Sequence, residues 1–283
     1  MNIKLIILLL VLPIFFVIPY FLLRDVAPDA QLASSDPFLK KLLTDASDHA
    51  SGKNSPSAKV YKDYSSEHYK SASADSSDLS AIDLEYMIQA PAKPWPENLK
   101  FPLIIHLSDT DSPSYSAAYH NTYKIKFPAF SIAPKLPKDF LWGYHRTTTQ
   151  QHSLHAVLKL AEDIVREYPI DTQRIYIVGC GHGATGALSA LDKRPDLFAA
   201  AIAHSPDWDQ NKTTNISKTP ILIMTGDSNI TYPTIETQKL VKNIEETGGN
   251  ISYKEIQYMK HDCAYKSLYS KKIWAWLFAQ KRK

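Results

Sequence analysis

Cysteine is almost missing from this chain, with two residues in 283, so neither a disulfide-dense scaffold nor a cysteine-based zinc module is available to it. Glycine is scarce as well, at nine residues, and proline stands at 18 without any repeating triplet. A collagen-like chain and a wholly low-complexity chain are both excluded. Charge of one sign is not in excess either: 32 Lys and Arg stand against 29 Asp and Glu. So small a surplus creates no strong global field, and nucleic-acid binding receives no support from it. What remains is globular composition, 44% hydrophobic and 22% charged, in a length that allows one domain or two small ones.

One long hydrophobic run does occur. Leu5 to Leu23 is 19 residues without a charge. A helix there would be about 28 Å long, near the hydrocarbon thickness of a bilayer. Lys4 precedes the run, and Arg24 is followed by Asp25 and Asp29, which orients the chain with its N-terminus inside. The run exceeds the usual apolar stretch of a cleaved signal, and Val26-Ala27-Pro28-Asp29-Ala30 offers no clean cut site. The expectation is a membrane anchor over 1–24 with the rest outside the cytosol, the alternative being a cleaved signal and secretion. Residues 25–80 are polar, with Ser71–Ser80 reading SASADSSDLS, and suit a linker.

From about Ile82 onward, short apolar runs alternate with helical periodicity. Leu84, Tyr86 and Ile88 alternate as in a strand, and Pro102–Leu107, Phe130–Ala133, Arg174–Gly179, Ala199–His204, Pro220–Thr225 and Ile251–Tyr258 read as further strands. Ser153–Tyr168 is the clearest helix, with Leu154, Val157, Leu158, Ala161, Ile164, Val165 and Tyr168 on one face. Ala184–Lys193, Ile235–Glu246 and Leu268–Gln280 are also helical, the last with Tyr269, Ile273, Trp276 and Leu277 inward. Alternating strands and helices predict an α/β domain over 81–283, a mostly parallel sheet with helices on both faces. Ligands of such sheets lie at the carboxyl ends of the strands.

Four of the nine glycines fall within eight residues, at Gly179, Gly181, Gly183 and Gly186, between a strand and a helix. As a dinucleotide loop this segment comes late in the chain, and Ala203-His204-Ser205 stands where an acidic residue is needed. No Walker lysine follows. A nucleophile elbow, G-x-S-x-G, fits the outer glycines Gly179 and Gly183, but the central position is Gly181.

Here residues 82–283 resemble the secreted α/β-hydrolases of the dienelactone hydrolase, polyhydroxybutyrate depolymerase and prolyl-oligopeptidase-like esterase group. Phe101–Asp109 is similar to that group's first apolar strand and oxyanion loop, and Ala133–Pro137 with Trp142 to its "APQCP…W" segment. Asp171–Ala200 follows its strand–elbow–helix pattern without a gap, Thr225-Gly226 its acid-bearing strand end, and Lys260-His261-Asp262 its "GHD". The resemblance implies an α/β-hydrolase fold, no cofactor, no metal, and a Ser–His–Asp triad with an oxyanion hole.

The chemistry positions depart from that pattern. The nucleophile position falls on Gly181, the oxyanion loop on Ser108 and Asp109, and the acid on Asn229, with Asp227 nearby as a displaced acid; His261 alone is retained. An aspartate at 109 would place negative charge where an oxyanion should develop. His182 follows the elbow, where the resemblance implies that a backbone N–H serves the oxyanion hole. Cys180 reads as a buried structural residue, a disulfide partner of Cys263, or a substitute nucleophile. His152 and His155 at helical spacing read as solvated.

The expectation is thus a membrane-anchored, extracytoplasmic α/β-hydrolase-fold protein that is catalytically inactive and binds a small ligand or a protein. The alternative is an active carboxylic ester or peptide hydrolase using His261 with an atypical nucleophile.

Overall fold

The computed structural model describes residues 65–70, 82–91, 93–109, 128–144, 153–261 and 271–282. The expected anchor over 1–24 lies outside these residues. Among the described residues no helix is long and apolar enough to cross a membrane.

The strands are β1 (Ser65–Lys70), β2 (Asp83–Gln89), β3 (Phe101–Leu107), β4 (Phe130–Pro134), β5 (Ile170–Cys180), β6 (Ala200–His204), β7 (Ile221–Gly226) and β8 (Ile251–Ile256). The helices are α1 (Leu154–Glu167), α2 (His182–Lys193), α3 (Thr234–Glu246) and α4 (Lys271–Ala279). The strands form one sheet in the order β1-β2-β4-β3-β5-β6-β7-β8. β1–β2 and β2–β4 are antiparallel, and every other neighbouring pair is parallel.

Burial follows from position in the sheet. Every residue of β3, β4, β6 and β7 is buried, as expected of parallel strands covered on both faces. β2 alternates instead, with Leu84, Tyr86 and Ile88 inward. β1 lies inside the segment read as linker. Its SSEHYK sequence has no apolar face, but an edge strand needs only a backbone ladder, which β2 supplies from Ser65↔Ile88 to Lys70↔Asp83.

Alternate side chains of the strands enter two cores. Leu103, Ile105, Ile175, Ile177, Ala201 and Ile223 pack beneath α1, α2 and α3. Ile104, Tyr176, Val178, Ile202 and Met224 pack with Ile273, Trp274, Trp276, Leu277 and Phe278 of α4 on the other face. α1 turns slightly from its expected orientation: Ala156 and Leu160 are buried with Leu154, Val157, Ala161 and Ile164, while Leu158, Val165 and Tyr168 reach only the margin. Trp274 joins the inward side of α4, while Tyr269 falls outside the described residues.

α2 lies closest to the sheet. Gly183, Ala184, Gly186, Ala187 and Ala190 are all buried. A side chain at Gly183 would meet the Leu107 carbonyl oxygen at 2.0 Å, and one at Gly186 would meet Trp142 Cβ at 2.4 Å. The small residues are what allow the helix N-terminus to reach the end of β3.

Candidate active site

β3 and β5 are adjacent and parallel with Leu107 opposite Gly179, so the residues two steps beyond, Asp109 and Gly181, leave the sheet side by side. β6 adds Ser205 past Cys180↔His204, and β7 adds the turn that carries Asn229 and Tyr232. With His261 in the segment after β8, the site stands at the carboxyl ends of five strands.

Gly181 caps α2 with φ 51° and ψ −117°, a backbone conformation that residues with a side chain rarely adopt. Its N–H donates to the His204 carbonyl at 2.8 Å. Gly179 permits the sharp turn, since a Cβ there would lie 2.0 Å from the Gly183 carbonyl oxygen. The strand–turn–helix geometry is that of a nucleophile elbow with no nucleophile on it.

The space a Gly181 side chain would fill is taken by Asp109. A Cβ on Gly181 would lie 2.0 Å from Asp109 Oδ1 and 2.9 Å from His261 Cε1. Asp109 Oδ1 accepts a hydrogen bond from the His182 backbone N–H at 2.7 Å. Asp109 Oδ2 pairs with His261 Nε2 at 2.9 Å. In a serine triad Nε2 faces the nucleophile oxygen, and the N–H after the elbow faces the oxyanion. One carboxylate here holds both partners. Burial raises the Asp109 pKa, but the His261 hydrogen bond and the His182 N–H outweigh it and hold the group below the ordinary carboxylate range.

Neither expected acid is bonded to His261 in the contacts observed. Asp227 is exposed and accepts from the Ser228 hydroxyl at 2.8 Å. Asn229 is buried, accepts from the N–H groups of Thr231 and Tyr232 at 3.1 and 3.0 Å, and donates to Ser205 Oγ at 2.9 Å. It shapes the turn that brings Tyr232 edge-on to His261, ring centroids 4.9 Å apart. Burial and the charges of Asp109 and Asp207 push the Tyr232 hydroxyl up to about 12, so the phenol stays protonated. No motif in the sequence singles Tyr232 out, because its role comes from where the turn after β7 points. Beyond it opens a small pocket of about 130 Å³ between Pro206, Asp207, Trp208, Tyr232, Glu236 and Leu240.

Ser108 is buried, and its carbonyl accepts the Trp142 indole N–H at 2.7 Å, which pins the Ser108-Asp109 turn. Cys180 sits in the core beneath α4, its Sγ 3.5 Å from His204 Nδ1, on the side of the sheet away from α2. It is disulfide-bonded, and the sequence holds one other cysteine, Cys263, outside the described residues. A cysteine in that state is no nucleophile. His155 lies exposed on α1, and His152 is outside the described residues. Among the described residues no group of three His, Cys, Asp or Glu side chains could hold a metal ion.

With this geometry in place, the chain can be set beside known proteins. Residues 142–216 match the prolyl oligopeptidase family. The structure is similar to a thermostable esterase at 25% identity and a TM-score of 0.68, over 78% of this chain and 64% of that one. It is also similar to an S-formylglutathione hydrolase from Staphylococcus aureus, at 14% identity and a TM-score of 0.58, covering 76% of this chain and 99% of that one. A fluorophosphonate-binding serine hydrolase of the same organism gives a TM-score of 0.59 at 14% identity, over 75% and 98% of the two chains. No curated protein matches the sequence. The chain spans less than two thirds of the length of the thermostable esterase. The protein has the α/β-hydrolase fold, and its structural neighbours are esterases and serine hydrolases.

Proposed function

We propose that this chain is an α/β-hydrolase-fold protein without serine-type ester or peptide hydrolysis, held at a membrane by its N-terminal segment with the domain outside the cytosol, and that its site binds a small ligand or a protein. The observation that carries the reading is the Asp109 carboxylate, bonded to both His182 N–H and His261 Nε2. Loss of the triad nucleophile costs about 10⁶ in kcat. Loss of one oxyanion donor costs about 10²–10³. Here the nucleophile position has no side chain, and the N–H beside it is already occupied by a negative charge. The extracytoplasmic placement draws support from the uncharged run Leu5–Leu23 and from a disulfide at Cys180, a bond that persists in oxidising compartments.

The test is labelling with a fluorophosphonate and turnover of p-nitrophenyl butyrate by the full chain, with fractionation of the expressing cells. No label and no turnover are expected, and the protein should pellet with membranes and resist extraction by high salt. Ester turnover that disappears in His261→Ala would overturn the catalytic half of the reading. A soluble species beginning near residue 30 would overturn the anchor.

A further inference from the structure

The pocket beside Tyr232 has two kinds of wall. Asp207 and Glu236 bring carboxylates to it, while Trp208, Tyr232, Leu240 and Pro206 bring aromatic and aliphatic surface. None of its described walls is basic. Asp207 stands just past the end of β6, and its backbone N–H donates to Thr185 Oγ1 of α2 at 2.9 Å, which fixes the turn. Trp208 is held as well: its indole N–H donates to the Lys212 carbonyl at 2.8 Å, and the Tyr144 ring packs edge-on with centroids 5.4 Å apart. Glu236, in the first turn of α3, already pairs with Lys239 at 3.0 Å and with Gln210. Asp207 is therefore the principal charge offered to a ligand. Tyr232 adds a phenol kept protonated by burial and then by the charges of Asp109 and Asp207, and its oxygen can accept a hydrogen bond.

These walls select among ligands. An anion is repelled by the carboxylates. A bare metal ion would meet mainly aromatic and aliphatic surface, and among the described residues no group of three His, Cys, Asp or Glu side chains could hold one. A neutral alkyl group would displace water from Asp207 and leave the charge unpaired. A protonated amine on a short alkyl chain matches both kinds of wall. Its N–H groups donate to Asp207, and its charge and methylenes suit the aromatic rings and Leu240. The volume, about 130 Å³, is close to the about 150 Å³ of a cavity that accepts benzene, so a chain of about four carbons fits. We propose that the pocket beside Tyr232 binds a primary alkylammonium group, from a free amine or from the end of a lysine side chain, with Asp207 as its counter-ion. The inference names a ligand class within the binding role proposed above and rests on that role.

The experiment titrates the full chain in detergent with butylammonium by calorimetry, alongside 1-butanol, butyrate and Nα-acetyl-lysine methylamide. An affinity of about 1 mM is expected for butylammonium, with 1-butanol and butyrate weaker by about 10-fold or more. Asp207→Asn should weaken butylammonium by about 10-fold or more and leave 1-butanol unchanged. Glu236→Gln should weaken it by less, because that carboxylate is already shared with Lys239 and Gln210. Binding of the lysine derivative as tight as that of butylammonium assigns the pocket to a peptide lysine, and its exclusion assigns the pocket to a free amine. No binding of butylammonium to the wild-type chain, or 1-butanol binding as tightly, overturns the proposal, and this comparison decides even if a variant fails to fold. Unchanged butylammonium binding by a folded Asp207→Asn chain overturns it as well. Fluorophosphonate labelling run in parallel separates the two readings: label sinks the serine-free reading whatever the amine does, whereas neither label nor amine binding sinks only this one.

Discussion

Asp109 links two losses that look independent along the chain. Gly181 removes a side chain, and Asp109 fills the volume so freed, 2.0 Å from where a Cβ would stand. Its carboxylate then engages the two groups, His261 Nε2 and the His182 N–H, that a serine hydroxyl and an oxyanion would otherwise engage. Restoring serine at 181 must therefore displace the carboxylate from both hydrogen bonds, in addition to placing a side chain at positive φ. Together these should cost about 2–4 kcal/mol. Gly181→Ser alone should unfold earlier in denaturant and give at most a trace of p-nitrophenyl ester hydrolysis. Asp109→Gly removes the collision, so the double variant should be more stable than the sum of the singles by about 1–3 kcal/mol. Adding Asn229→Asp should raise hydrolysis further. Additive stabilities in that cycle would mean that the two positions do not compete for one space.

At the scale of elements, the strand β5 and helix α2 form a unit whose turn depends on backbone contact. A Cβ at Gly179 would meet the carbonyl of Gly183, and one at Gly183 would meet that of Leu107. These neighbours are backbone atoms and cannot rotate aside as a side chain can. Gly179→Ala should thus be destabilising by about 3 kcal/mol or more, measured by urea unfolding, although it adds only a methyl group. An unchanged midpoint would show that the elbow can open without loss. The turn was legible in the sequence because four clustered glycines between a β-rich run and a helical run have few other uses. The strand β1 was not, since Ser65–Lys70 is held by pairing with β2 and carries no apolar signal of its own.

Across the whole molecule, the sheet separates two cores, and the smaller one contains a histidine. His106 is 1% exposed on β3, in the layer beneath α4 and with its ring 6.4 Å from that of Trp274. Burial lowers its pKa from 6.5 to about 3. The unfolded chain therefore binds a proton here at pH values where the folded chain does not. Stability is complete above pH 6.5 and falls as pH drops towards about 3, by about 1.4 kcal/mol per unit. Asp109 adds a second loss in the same direction, below its ordinary value of 3.8. Thermal melting should thus decline from pH 6.5 to 4 in the wild type, and His106→Leu should flatten that decline. An equally steep decline in the variant would assign it to other groups.

Periodicity and punctuation determined most of the architecture. Seven apolar runs became strands within a few residues of their expected ends, except that β5 begins four residues earlier, and four helical stretches became helices; these are local patterns that burial of one face enforces. The fate of the motif residues was also partly local: a glycine at 181 has no side chain whatever surrounds it. What only the tertiary structure decided is which groups meet. His261 and Asp109 are 152 residues apart in sequence and 2.9 Å apart in space. The pairing follows from the parallel register of β3 and β5 and from the turn carrying His261, none of which is encoded in the residues flanking either partner. By the same logic Asp227, two residues from the expected acid position, points into solvent, and Asn229 turns to its own backbone. Spacing along a chain can propose a triad, but hydrogen-bond partners are set by strand ends that long-range packing brings together.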